Sequence, residues 1–157
     1  MFQAEQSARF MGVVRFVLLI SSAVWLAAST AADDSDPREL VALPAMMQRH
    51  MLANMRDHLR AIAQIQEALA GGDFDAAATI AEERIGLSSL AAHGAAHMAP
   101  YMPGPMQTIG MQMHRAASRF ALVAKDASVD GDLPGALKSL SAITQQCVAC
   151  HAAYRVH

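Results

Sequence analysis

Apolar residues recur at steps of three and four through most of this chain, the period of a helix that buries one face. Met47, Met51, Met55, Leu59, Ile62, Ile65 or Gln66, and Leu69 keep that step and Gly71-Gly72 stops it, so the pattern predicts one long amphipathic helix beginning near Pro44. Asp73 can cap a second helix from Phe74 to Ile85 by accepting bonds from its first free amides, with an extension toward His93, broken near Gly86, left open. Between Gly94 and Gly110, Pro100, Pro103, Gly104 and Pro105 oppose a continuous helix and predict the longest loop. A third helix takes Met106 or Gln107 to about Ala127, with Met113, Ala117, Phe120, Ala121 and Ala124 along one side. Val129-Asp130-Gly131-Asp132 reads as a turn. Asp132 and Pro134 then open a fourth helix, whose stripe is Leu133, Leu137, Leu140, Thr144, Cys147 or Val148, and His151. Four helices without a plausible set of strands imply an all-α fold, an antiparallel four-helix bundle whose interior can house a cofactor between facing helices.

The amino terminus obeys a different pattern. Arg9 and Arg15 precede the apolar run from Phe16 to Ala28, and Ser29-Thr30-Ala31-Ala32 offers small residues before Asp33-Asp34. Residues 1–32 therefore read as a secretory signal peptide, too short in its apolar part for an ordinary membrane span. Residues 33–43 read as a flexible lead-in, acidic and interrupted by Pro37, and 44–157 as the four-helix domain. Cleavage after Ala32 would leave 125 of the 157 residues, enough for one compact domain. The expected destination is the periplasm, with no stable membrane span once the signal is removed. The formal net charge of −2 becomes slightly more acidic without that segment, which disfavours nucleic-acid binding. The hydrophobic content of 54% is inflated by the signal and by alanine, yet the remaining apolar positions keep helical spacing and should form a core.

Candidate chemistry concentrates at the other terminus, where Cys147-Val148-Ala149-Cys150-His151 has the C-x-x-C-H pattern of covalent haem attachment. Two thiols three positions apart on a helix lie on nearby faces, so both can reach haem vinyl groups and form thioethers, while the next residue turns an imidazole toward the iron. A structural zinc site would need four Cys or His ligands, often as paired clusters, and there is no second cysteine pair. A thioredoxin-like motif should follow a strand, whereas the residues before Cys147 read as helix. Export agrees with the motif. Both cysteines would be consumed as thioethers, leaving none for a disulfide in an oxidising compartment.

With Tyr154-Arg155 following, the ending reads C-x-x-C-H-x-x-Y-R, and the chain resembles the class II c-type cytochromes, the cytochrome c-prime family. The resemblance spans roughly Leu40 to Arg155 and is strongest from Cys147 to Arg155. It implies one covalent haem c held by Cys147 and Cys150, with His151 as the proximal iron ligand and a residue of the first helix on the other face. Low-spin members place a methionine there, and Met55-Arg56-Asp57 resembles their methionine, basic, acidic sequence; Met51, one turn earlier, is the alternative. Arg49 resembles the family's upstream arginine. Arg49 and Arg155 are candidates for haem-propionate contacts, because guanidinium matches a carboxylate at two points, although either side chain can equally sit on a solvated face. The expected function is single-electron transfer between redox protein partners, without enzymatic catalysis. A five-coordinate haem that binds NO or CO is the rival. Family members often dimerise through the first two helices, and the alanine-rich faces here permit a homodimer.

Histidines and methionines add a further alternative. His50, Asn54 and His58 share one helical stripe, His93 and His97 are four apart, and His114 opens toward the third helix. Together with Met98, Met102, Met106, Met111 and Met113 they could form a copper-binding surface, since thioethers and imidazoles suit copper. Gly94 weakens any helix that His93 and His97 would have to share. The ordinary expectation for such residues is a solvated or packed side chain, and for the methionines, packing material. A distal histidine, His50 or His58, is the remaining option for the haem. No nucleophile with an organised base appears, so hydrolytic catalysis has no support.

Overall fold

Residues 36–157 are described by a computed structural model. The expected signal peptide, 1–32, and the first part of the lead-in, 33–35, lie outside the described residues. The unit formed by Arg38–His157 is mostly helical, as an all-α fold requires. Its long elements are α1 (Ala45–Ala70), α2 (Phe74–Arg84), α4 (Gly104–Asp130) and α5 (Leu133–Ala153), with one short turn of helix, α3 (Ala95–Met98), in the connection between α2 and α4.

Local chemistry explains the helix ends. Asp73 accepts from the Ala76 amide at 2.9 Å and Asp132 from the Gly135 amide at 3.0 Å, each satisfying a donor the helix start leaves free. α4 runs on to Asp130, past the end expected near Ala127, and Gly131, inside the expected turn, closes it in the left-handed conformation at φ 76°. At its other end α4 begins at Gly104, earlier than Met106. Pro103 is its cap and Pro105 lies in its first turn, where a missing amide donor costs nothing, so the prolines start this helix rather than oppose it. The break expected near Gly86 is present: α2 ends at Arg84, and Leu87–Ser89 forms a separate tighter turn. A Cβ at Gly86 would lie 2.7 Å from the Glu82 carbonyl oxygen, so this bend needs glycine.

Helix α1 packs on α2, α2 on α4, and α4 on α5. A core of Ala61, Ile65, Ala78, Phe120, Leu140 and Ile143, among others, fills one end of the unit. Short alanine side chains let helix backbones approach closely, and Phe120, fully buried, supplies the largest apolar volume. Between α1 and α2, Arg84 grips Asp57 with two nitrogens, Nε to Oδ2 at 2.9 Å and NH2 to Oδ1. This hydrogen-bonded guanidinium holds the Asp57 carboxyl below its ordinary pKa.

The other end is tied by an unexpected contact. Strand β1 (Glu39–Leu40) pairs in parallel with β2 (Tyr154–Arg155), and the Val41 amide donates to the Arg155 carbonyl at 2.8 Å. Val41 is buried, and Gln48 on α1 donates to the Val156 carbonyl. From Glu39 onward, the stretch expected as a flexible lead-in is instead hydrogen-bonded to the chain's tail. Backbone groups of a strand are unpaired along its edge, and two such edges satisfy each other here.

Candidate functional site

Residues of α1, α4 and α5, together with the α2–α4 connection, line a cavity of about 900 Å3. That volume falls within the ~300–1,000 Å3 typical of small-molecule and cofactor sites. Three of its lining residues are Cys147, Cys150 and His151, all on the last turns of α5. The two thiols are half-buried and neither is in a disulfide. The Cys147 thiol donates to the Ile143 carbonyl one turn earlier, at 3.7 Å. Burial pushes both thiol pKa values up, which keeps the sulfurs protonated near neutral pH. His151 is exposed on the cavity's edge.

Methionines face them. Met51 and Met55 of α1 line the cavity, as do Met102 before α4 and Met113 within it. Their environments differ. Met51 is 6% exposed and belongs to a tight cluster with Val41, Met98 and Met106, whereas Met55 is only half-buried and packs against that cluster's margin. Met47 is absent from the lining. The arginines selected from sequence, Arg49 and Arg155, are also absent from the lining; Arg49 is exposed, and Arg155 donates to the His157 carbonyl at 3.2 Å. Arg56 and Arg115 are the guanidinium groups at the cavity, both exposed at its rim. Arg56 follows Met55 directly, a proximity that the sequence displayed without revealing which way either residue faced.

Comparisons set no family around this geometry. No family model, curated protein or solved structure matches the chain. The chemistry of the cavity has to be argued from its own residues.

A histidine cluster is the largest departure from the sequence expectation. His93 does not share a helix with His97; it precedes Gly94, whose φ of 63° breaks the path, and His97 is exposed on α3. His93 meets His58 of α1 and His114 of α4 instead. The ring centroids lie 4.6 Å apart for His58 and His93, 5.6 Å for His93 and His114, and 6.1 Å for His58 and His114. All three rings line the cavity. His50 Nε2 donates to the His93 carbonyl at 2.9 Å and Asn54 donates to the same oxygen at 3.1 Å, so the stripe His50, Asn54, His58 grips one residue. Removal from water, reinforced by the neighbouring imidazoles, pushes His58 down to about 4 and lowers His93 as well. His114 is buried, and its Nδ1 donates to the Ile85 carbonyl.

Proposed function

We propose that this chain is an exported, single-haem electron carrier, an antiparallel four-helix bundle with its haem between α1, α4 and α5. The observation that carries the proposal is the convergence of Cys147, Cys150 and His151 on a cofactor-sized cavity whose α1 wall presents methionine. In this arrangement Cys147 and Cys150 would hold the haem as thioethers and His151 would ligate its iron. The protonated state of both thiols suits addition of S–H across a vinyl group, which forms a C–S bond and places the hydrogen on the neighbouring carbon with no oxidant needed. Met55 is the preferred residue for the opposite face. Its half-buried side chain is at the cavity wall, while Met51 is already engaged by Val41, Met98 and Met106.

The iron supplies one-electron redox chemistry when the group is bound. The chain's own contribution is to exclude water with an apolar wall, set the ligands, and leave a rim through which electrons pass to redox protein partners. Arg56 and Arg115 at that rim are better placed for propionates than Arg49 or Arg155. Bound to the iron, the neutral Met55 thioether would favour iron(II) more than a harder donor does and would occupy the position a gas needs, which separates a carrier from a gas-binding protein.

Absorption spectra of protein matured in a host with haem-attachment machinery test the proposal. Pigment that survives acid-acetone extraction and a low-spin ferric spectrum with a methionine-to-iron charge-transfer band are expected, the band disappearing in Met55→Ala. Protein without covalent pigment would overturn the assignment, and a high-spin spectrum in the intact chain would replace the carrier with the NO- or CO-binding alternative.

A further inference from the structure

We propose that the rim of the cavity is the docking surface for a redox partner protein that presents a cluster of Asp and Glu side chains. The inference rests on the proposed carrier and names the partner of its site. Among the described residues, none of those lining the cavity is an Asp or Glu. The arginines of the lining are Arg56 and Arg115, both exposed, and each belongs to a row of like charge. On α1, Arg49, Arg56 and Arg60 are seven and four positions apart, which puts them on one helical face. On α4, Arg115 and Arg119 stand four apart in the same way, and all five are exposed. Like charges four apart on a helix repel each other, and an arriving carboxylate surface relieves that repulsion.

The carboxylates are placed elsewhere. Glu67, Asp73, Asp75, Asp126, Asp130 and Asp132 are exposed near the α1–α2 and α4–α5 turns, whose flanking residues Leu69, Phe74, Ala127 and Leu133 share the alanine-rich core. Asp57, beside the arginine row of α1, is gripped by Arg84, and its contact with Arg60 is a longer 3.5 Å. At the paired strands, Asp36 and Glu39 are matched by Arg38 and Arg155. The chain's formal net charge of −2 therefore hides a helical unit that is acidic at its packed end and basic around its cavity. Haem would not cancel this asymmetry: its propionates offset Arg56 and Arg115, and Arg49, Arg60 and Arg119 remain. Leu59, 72% exposed, and the exposed Gln107, Thr108 and Gln112 add uncharged surface to the lining. An apolar contact set among hydrogen-bonding and cationic groups is the make-up of a protein interface, whereas binding flat on a bilayer calls for a broad apolar face. Guanidinium meets a partner's carboxylate at two points, and the rows on α1 and α4 steer the encounter from a distance.

The test is stopped-flow oxidation of the reduced, haem-loaded protein by hexacyanoferrate(III), an anion, and by tris(phenanthroline)cobalt(III), a cation. Between ionic strengths of about 0.01 and 0.15 M the screening length shrinks from ~30 to ~8 Å. Added salt should slow the anion about 10-fold and leave the cation no slower, the reverse of what the negative net charge alone dictates. Arg60→Glu combined with Arg119→Glu, at exposed positions outside the lining, should slow the anion about 10-fold at low salt with an unchanged absorption spectrum. Lys125→Glu with Lys138→Glu, at the packed end, should leave both rates as they were. Poly-L-glutamate titrated into the 15N-labelled reduced protein gives a reading that needs no electron transfer: side-chain signals of Arg49, Arg56, Arg60, Arg115 and Arg119 should shift. Salt dependence of the opposite sign, shifts centred on Lys125 and Lys138, or tighter binding to phosphatidylglycerol vesicles than to poly-L-glutamate would overturn the docking surface. Haem content is read separately from the spectrum, so protein without pigment removes the carrier, whereas loaded protein with the wrong salt dependence removes the docking surface alone.

Discussion

The two ends of the helical unit are filled by opposite kinds of side chain. At one, Ala77, Ala78, Ala81, Ala117 and Ala124 are wholly buried around Phe120 and Ile65. At the other, Met51, Met98 and Met106 are buried beside a cavity of about 900 Å3. Alanine has no side-chain torsion to lose and brings backbones together, giving a dense, stiff contact. Methionine is long, unbranched and adaptable, so it can line a space whose outline is set by a guest. The same helices, α1, α4 and α5, run through both regions. The packed end fixes their spacing, and the methionine end uses it.

Substitutions that exchange the character of the two ends sharpen this contrast. The largest loss is expected for Phe120→Ala, about 3–5 kcal/mol in urea unfolding, because a fully buried ring leaves a void in a region of short side chains that cannot close over it. An effect below 1 kcal/mol would mean that this end collapses as readily as the other. Overfilling should be the next most costly: Ala78→Leu adds three carbons where no surface is exposed and should cost about 1–3 kcal/mol, read from the same melts. At the boundary of the methionine region, Gly94→Ala should cost about 1–2 kcal/mol from its positive φ alone. The new methyl would also stand 3.1 Å from His50 Nε2, so slower relaxation or a shifted His50 resonance should accompany the loss.

The smallest expected effect lies at the clasp between α1 and α2. Asp57→Asn should cost up to about 1 kcal/mol, since the pair is partly solvated. Its pH dependence has a definite sign. The folded pKa of Asp57 lies below its ordinary 3.8, so the stabilisation is complete above that ordinary value and disappears as pH falls through the lowered one. Melting of Asp57→Asn compared with the parent chain at pH 7 and near pH 2 should therefore converge at the acid end.

Much of the helical framework was legible because its signals are local. The three-and-four step placed α1 and α5, and the carboxylates of Asp73 and Asp132 marked helix starts that their bonds to Ala76 and Gly135 display. The loop expected from 94 to 110 was partly misleading, since a proline opposes a helix only beyond its first turn. His50, Asn54 and His58 were recognisable as one stripe, but what they grip is the carbonyl of His93 and its ring, 35 to 43 positions away. Arg56 and not Arg49 lines the cavity, a distinction hidden in the sequence because spacing identifies a helix face without saying what stands opposite.

Helical content, caps and the thiol, thiol, imidazole order at the tail follow from the sequence alone, because each depends on residues within a turn or two of one another. Pairing of residues 39–40 with 154–155, the meeting of three histidines from different segments, and the space enclosed by α1, α4 and α5 exist only in the folded chain. Such contacts depend on which distant surfaces pack together, and a choice between packings is a property of the whole molecule's free energy rather than of any local stretch.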